Sequence, residues 1–224
     1  RNVLGKGYSA SFRGSFSSIS SRFQLSFWNP HFRDGPLGFG LDAFSTAREY
    51  DDYDLESTGG KIKFAYTLGD YTRLFWNYRL EQYTVDDIDE GASQQIKDIA
   101  GDNLASSLYA AVSRDTSNKR LNPTRGTKNT VSIEYAGSFL GGDDNFIKPE
   151  YEFSFYHPIF WKLIFNWHWK IGHLFENSDE SVPDFERYYL GGINTVRGYD
   201  YRDISSTDEA GDDIGGYKTF YTNV

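Results

Sequence analysis

The sequence has 224 residues and a net charge of −9, and aromatic residues make up 18% of it although the mean hydropathy is only −0.60. The acidic balance argues against a nucleic-acid partner, which requires a basic face. The absence of cysteine excludes disulfides and thiolate metal sites. Apolar runs are too short for the helix of about 20 residues that crosses a bilayer. A twisted soluble β-protein and a transmembrane β-barrel remain, because a barrel strand needs apolar residues only at alternate positions.

Alternation of apolar and polar residues is the dominant pattern along the chain. In segment 8–17, Tyr, Ala, Phe, Gly and Phe share one parity, and Ser and Arg fill the other. This pattern predicts a strand with one apolar and one polar face. Similar segments predict further strands at 23–27, 37–43, 62–68, 74–80, 108–112, 131–135, 151–155 and 163–171, and a tenth that begins near Tyr217.

The connections between these segments alternate in character. Every other connection, beginning with the first, is mostly long and acidic: these are 17–20, 49–56, 84–102, 137–145 and 175–215. The connections between them are short or rich in Pro and Gly: these are 29–35, 69–71, 115–126 and 157–161. In an up-and-down barrel, short turns lie on the periplasmic side and long loops outside. We therefore predict an all-β, antiparallel up-and-down transmembrane β-barrel rather than a soluble sandwich. Within 84–102, residues 92–99 predict a short helix with Ile96 and Ile99 on one side.

The longest connection carries the most specific motif, Gly191-Gly192 followed by Val196-Arg197-Gly198-Tyr199. We expect this loop to fold back into the lumen, where Arg197 pairs with a carboxylate on the inner wall, because burying it unpaired costs several kcal/mol. Gly198 would permit a tight turn, and Tyr199 would pack against the wall. The alternative is an ordinary surface Arg-Gly turn.

The turn at 115–126 is the second candidate, with Arg114, Asp115, Pro123 and Gly126 as its defining residues. We expect Asn122 to be extended because it precedes Pro123, and Gly126 to take a positive φ. A structural role is the simplest interpretation. Its cations, Lys119, Arg120 and Arg125, also suit lipid headgroups or a partner protein on the periplasmic side.

Other candidate sites have simpler explanations. Trp167 and Trp169 share the outward parity, which favours lipid contact and an interfacial aromatic girdle over a ligand site. His168 and His173 have opposite parity, so a metal site has little support. The acidic runs 51–54 and 208–213 match no calcium loop and are expected to be solvated. No nucleophile motif or phosphate-binding Gly loop is present. We therefore expect no enzymatic activity, no catalytic residues, no metal and no cofactor.

The motifs together resemble those of the outer-membrane barrel-assembly family. The resemblance extends beyond the Val196-Arg197-Gly198-Tyr199 tetrad and covers essentially the whole chain. Its further motifs are Ser113-Arg114-Asp115-Thr116, Leu121-Asn122-Pro123-Thr124-Arg125-Gly126, Phe27-Trp28-Asn29-Pro30-His31-Phe32 and Ala136-Gly137-Ser138-Phe139-Leu140-Gly141-Gly142-Asp143.

The resemblance implies that residues 1–224 are part of a barrel of sixteen strands, about the third to the twelfth, with the signature loop at 175–215. The periplasmic POTRA domains and the last strands would lie outside this chain, and with them the acidic partner of Arg197. The implied location is the outer membrane of a Gram-negative bacterium.

The implied activity is the folding and insertion of β-barrel proteins. Its partners would be unfolded outer-membrane clients, accessory lipoproteins bound through the POTRA domains, and membrane lipid. A related secretion or translocation barrel, or a diffusion porin, is the alternative. An enzyme would require a hydrolase domain fused upstream.

Overall fold

The computed structural model describes residues 7–50, 52–177, 182–207 and 213–224, which form one antiparallel sheet. Strands β1 to β9 pair in chain order, β11 pairs with β9, and the two-residue β10 pairs with β8. The strands are β1 Ser9–Phe16, β2 Ser20–Asn29, β3 Leu37–Glu49, β4 Asp54–Thr67, β5 Thr72–Asp86, β6 Gly101–Asp115, β7 Gly126–Ala136, β8 Phe146–Pro158, β9 Ile164–His173, β10 Phe175–Glu176 and β11 Lys218–Asn223. The predicted antiparallel architecture is confirmed, with β10 as a small addition inside the longest connection.

One helix, α1 Gln94–Asp98, lies in the connection between β5 and β6, as the sequence predicts. Ser93 caps its first turn by accepting a hydrogen bond from the Ile96 backbone amide. Short 3-10 turns occupy Phe32–Asp34, Ser138–Leu140 and Asp184–Glu186. Among the described residues, no helix has the length and apolar character needed to cross a membrane.

Most strands are longer than the sequence pattern suggests, and several of the long connections are correspondingly shorter. Strands β5 and β6 each have 15 residues, so the connection predicted at 84–102 spans only 87–100. The connection predicted at 49–56 shrinks to 50–53. Polar pairs continue the ladders past the apolar zone, as where Thr84 Oγ1 donates to Asp102 Oδ1 over 2.6 Å. Apolar alternation therefore marks only the part of each strand that faces hydrocarbon.

The two faces of the sheet differ in chemistry. Large apolar side chains on one face are exposed on β1 to β7, β9 and β11, namely Phe12, Leu25, Leu41, Ile62, Leu80, Leu108, Val131, Trp167 and Phe220, and the half-buried Phe153 of β8 lies on the same face. The opposite face carries ion pairs between neighbouring strands, including Lys63–Asp42 at 2.5 Å and Lys170–Glu150 at 2.8 Å. An apolar outer face and a charged inner face are the pattern of a transmembrane barrel wall.

Apart from Ala111, the buried apolar residues lie at the end of the wall that carries the long connections. One cluster joins Tyr53, Tyr83 and Val85 to Ile96 and Ile99 of the α1 segment. Both isoleucines are buried there, which confirms that they share one side of the predicted helix. A second cluster consists of Ala136, Phe146, Leu174 and Val182. The long connections therefore form a packed cap at this end of the sheet rather than independent loops.

Candidate functional site: the loop inside the wall

The connection between β10 and β11 folds back as two limbs against the inner face. Backbone bonds join the limbs at two levels, between Leu190 and Ile204 at 2.8 and 3.0 Å and between Tyr188 and Gly216 at 2.9 and 2.8 Å. The limbs form the root of the loop, and residues 191–203 form its tip. The described part of the loop therefore has a defined structure, as expected for a loop folded into the lumen.

Glycines allow the tip to turn sharply. Gly191 has a φ of +108°, and a Cβ there would lie 2.2 Å from the Asp200 carbonyl oxygen. Thr195 Oγ1 accepts from the Gly191 amide and donates to the Gly191 carbonyl, both at 2.8 Å. Gly192 and Gly198 also have positive φ, at +90° and +96°. The expected role of Gly198 in a tight turn is confirmed, and only glycine adopts these conformations without strain.

The signature tetrad lies at the accessible side of the tip. Val196 is half-buried, whereas Arg197, Gly198 and Tyr199 are exposed. Arg197 forms no ion pair or hydrogen bond with any residue that the structure describes. Its pairing with a wall carboxylate, and the packing of Tyr199 against the wall, stay predictions.

The root is bound to the wall by a charge network centred on Glu186. The Glu186 carboxylate accepts from Arg79 Nη2 of β5 at 3.1 Å and from Lys148 Nζ of β8 at 3.3 Å. Arg79 also binds Glu134 of β7 at 2.9 Å and Glu81 at 3.3 Å. Burial alone would raise the pKa of Glu186, but Lys148 and Arg79 hold that pKa below its usual range. A buried carboxylate with two cationic donors is satisfied both electrostatically and in hydrogen bonding.

A second set of contacts ties the two limbs to each other. Asp184 of the incoming limb accepts from Arg202 Nη2 of the outgoing limb at 3.0 Å and also from the Tyr189 hydroxyl. The Arg202 guanidinium lies 3.4 Å from the centre of the Tyr189 ring and 5.3 Å from that of Tyr50. Cation–π stacking and charge pairing therefore fix Arg202 at the base of the tip.

Close packing adds a third attachment. At Gly172 of β9, a Cβ would lie 2.4 Å from the Tyr188 hydroxyl oxygen. Nearby, the Tyr83 and Phe185 rings meet edge to face with centroids 5.0 Å apart, which joins the root to the apolar cap. The loop thus touches β5, β8 and β9, so the inner face of the sheet encloses it.

The turn between β6 and β7 is the second predicted site, and it is distant from the loop contacts. Arg114 and Asp115 are exposed at the end of β6, where Asp115 Oδ1 accepts from the Ser117 amide at 2.9 Å. Gly126 has a φ of +111°, which confirms its expected conformation. The expectation for Asn122 is wrong, because its φ is +54° despite the Pro123 that follows. Asn tolerates this left-handed region, and the sharpness of the turn overrides the preference for extended backbone before proline.

The other candidates are placed as follows. His168 Nδ1 lies 3.0 Å from Ser154 Oγ, and no group of metal-binding side chains occurs among the described residues. Asp51 and most of the acidic run 208–213 lie outside the described residues. Trp161 and Trp167 are exposed and Trp169 is half-buried.

Sequence patterns alone missed the residues that hold the root. Arg79 has the inward parity that the strand pattern assigns, but nothing in that pattern indicates which loop residue it meets. Asp184 and Glu186 lie in a three-residue 3-10 turn and Arg202 in an irregular segment, and neither is long enough for periodicity to carry information.

The geometry defines a class of protein: a transmembrane β-barrel wall with a long loop folded inside and bound to it. The family follows from the sequence, because a family model described as the Omp85 superfamily domain matches residues 2–224. The chain belongs to the Omp85 superfamily. Family and fold together place it in the bacterial outer membrane.

Individual relatives agree with this assignment. The chain is 41% identical over 225 residues to the outer membrane protein assembly factor BamA of Nitratidesulfovibrio vulgaris, covering 100% of this chain and 28% of that protein. It is 27% identical over 218 residues to the mouse sorting and assembly machinery component 50 homolog, covering 96% of this chain and 46% of that protein. The chain therefore spans less than half the length of these relatives.

A solved structure supports the fold. The crystal structure of BamA from Haemophilus ducreyi lacking POTRA domains 1-3 matches with a TM-score of 0.84, although only 18% of residues are identical. The match covers 99% of this chain and 47% of that one.

Proposed function

We propose that this chain is the barrel wall of a protein that folds and inserts other β-barrel proteins into the outer membrane. The observation that carries the proposal is the signature loop, with its root bound inside the wall and its Arg197 tip exposed. The names of its relatives, an assembly factor and sorting and assembly machinery components, support the same activity.

The proposed substrates are unfolded outer-membrane proteins, and the proposed partners are accessory lipoproteins that bind through POTRA domains. Client strands would pair with an exposed barrel edge, which satisfies backbone groups that lipid cannot satisfy. This process makes and breaks only hydrogen bonds and apolar contacts. It therefore requires no catalytic side chain, cofactor or bound nucleotide, and the proposed protein is not an enzyme.

The test uses the full-length protein reconstituted in liposomes. Assembly of a urea-unfolded client barrel is followed by its protection from protease, and the Arg197→Ala variant is compared with Arg33→Ala, a control in a short turn. We expect Arg197→Ala to weaken loop docking, lower barrel stability and slow client assembly, with Arg33→Ala unchanged. Equal client assembly and equal barrel stability in both variants would refute the assigned role of Arg197.

Two other barrel functions are separated by the same preparation. A diffusion porin would give large, steady single-channel conductance and no client assembly. A secretion barrel would export a soluble client rather than insert a barrel. The constricting loop of a porin need not carry the Val196-Arg197-Gly198-Tyr199 tetrad, so this motif favours the assembly barrel over the porin.

A further inference from the structure

Two neighbouring short connections, 116–125 and 159–163, expose large apolar side chains beside cations. Leu121 is 82% exposed, Phe160 74% and Trp161 86%. Both connections lie at the same end of the strands, because Gly126, the first residue of β7, pairs with Tyr156 of β8 just before the second turn. We call this surface the basic–aromatic footprint; its members are Lys119, Leu121, Arg125, Phe160, Trp161 and Lys162.

The exposed side chains project from turns with defined hydrogen bonding. Asn118 Oδ1 accepts from the Thr124 amide at 3.0 Å and the Arg125 amide at 3.2 Å, which fixes the first turn. The Leu163 amide donates to the Phe160 carbonyl at 2.9 Å, which closes the second turn. The apolar exposure is therefore built into the fold rather than produced by a loose segment.

The footprint is also positively charged, and no acidic residue in either connection neutralises its cations. Connection 116–125 contains three cations and no acidic residue, and 159–163 contains Lys162 and no acidic residue. Across the described ranges, Lys119, Arg125 and Lys162 have no ion-pair partner, unlike the wall cations Lys63 and Lys148. Arg120 is excluded from the footprint because it borders the lumen beside Asp115.

The apolar part continues the outer face of the barrel. Ile159 and Leu163 flank Phe160 and Trp161, are 65% and 63% exposed, and lead into Trp167, which is exposed on the outer face of β9. A ligand that contacts both the apolar and the cationic side chains of the footprint must carry a hydrocarbon chain and a negatively charged group. A soluble protein partner would instead have to dock on a surface continuous with the one that faces lipid.

We propose that the basic–aromatic footprint binds anionic phospholipids of the periplasmic leaflet. Headgroup phosphates contact Lys119, Arg125 and Lys162, and acyl chains contact Leu121, Phe160 and Trp161. Short connections lie on the periplasmic side of such barrels. Basic residues at an anionic lipid surface and aromatic side chains at the interface are both stabilised there. The proposal concerns lipid recognition and does not depend on the assembly function.

The experiment places the full-length protein in nanodiscs that contain a fixed fraction of brominated phosphatidylglycerol or brominated phosphatidylcholine. Bromine quenches nearby tryptophan fluorescence, and the difference between the native protein and Trp161→Phe isolates the signal of Trp161. We expect stronger quenching of Trp161 by brominated phosphatidylglycerol. The Lys119→Gln/Arg125→Gln/Lys162→Gln variant should lose that preference by about tenfold or more in relative lipid affinity. Arg33→Gln, in another short turn, is the matched control and should keep it.

Folding of each variant is verified by the gel shift that folded barrels show before heating. Equal quenching by the two lipids would overturn the proposal, as would an unchanged preference in the triple variant. Protection of Trp161 from both lipids would also overturn it, because the footprint would then lie outside the bilayer. These outcomes are independent of client assembly, so failure here leaves the proposed function standing.

Discussion

Replacing Glu186 with Gln should release the root of the loop from the wall. The side chain is largely buried, and its carboxylate binds Arg79 at 3.1 Å and Lys148 at 3.3 Å. Removing one partner of a buried ion pair costs about 3–5 kcal/mol. The loss should fall below that range here, at about 2–3 kcal/mol, because Arg79 keeps Glu134 and Glu81 while Lys148 keeps the Glu186 backbone carbonyl at 2.6 Å.

Arg79→Met should cost more than Glu186→Gln. The substitution removes the cation that Glu81, Glu134 and Glu186 share. The three carboxylates then lose their hydrogen bonds to Arg79 and also repel one another. Because the two residues touch, their effects should not add, and a double-mutant cycle should give a coupling energy of about 1 kcal/mol or more.

The assay is urea unfolding of the full-length barrel in detergent, combined with hydrogen exchange of segment 182–190. Lys63→Gln is the control, since it removes an ion pair inside the wall that does not touch the loop. We expect Glu186→Gln to increase hydrogen exchange in the loop root and Lys63→Gln to leave it unchanged. If exchange in the root is the same in these two variants, and Glu186→Gln changes the free energy of unfolding by less than about 0.5 kcal/mol, the network does not hold the loop.

Three further substitutions test other contacts. Gly172→Val should displace the Tyr188 ring and destabilise the barrel by about 1–3 kcal/mol, measured by urea unfolding, because a Cβ there would lie 2.4 Å from the hydroxyl oxygen. Gly40→Val should shift the Trp28 fluorescence and cost a similar amount, since a Cβ would lie 2.6 Å from the indole ring. Burial raises the pKa of Asp144 to about 7, above its unfolded value of about 3.9. The free energy of unfolding should therefore fall by roughly 3–4 kcal/mol as pH rises from about 4 to about 7, and Asp144→Asn should abolish that slope in pH-dependent unfolding.

Matched variants make these outcomes decisive. Gly14→Val places its Cβ no closer than 3.5 Å to other side chains, so it should be tolerated; equal losses at Gly14 and Gly172 would contradict the packing argument. For Asp144, exposed Asp89 gives the comparison. A pH slope that survives in Asp144→Asn, or disappears in Asp89→Asn, would assign the slope to other groups.

The sequence predicted the wall well because the physics of a barrel strand is local. Alternation reports which face meets lipid, so the pairing of Leu41 with Ile62, both on the apolar parity, follows from the pattern and the antiparallel order. Two glycines were also predictable: Gly126 has the positive φ that was expected, and Gly198 lies in a turn, as expected.

The contacts between loop and wall could not be predicted in this way. Arg79 and Glu186 are separated by 107 residues, and their meeting depends on how far the sheet curls and where the root crosses it. The conformation of Asn122 was mispredicted for a related reason. A local rule about the residue before proline gave way to the geometry of a turn closed by more distant hydrogen bonds.

The Glu186 network has a mechanical consequence for the wall itself. Through Arg79 and Lys148, one carboxylate joins β5 to β8, and Glu134 adds β7, so a single side chain braces strands that have several ladders between them. Any bending of this part of the sheet must stretch charged contacts as well as backbone hydrogen bonds. These charged contacts therefore add to the backbone ladders in resisting deformation between β5 and β8. A force that flattens the sheet between β5 and β8 must therefore break these charged contacts first.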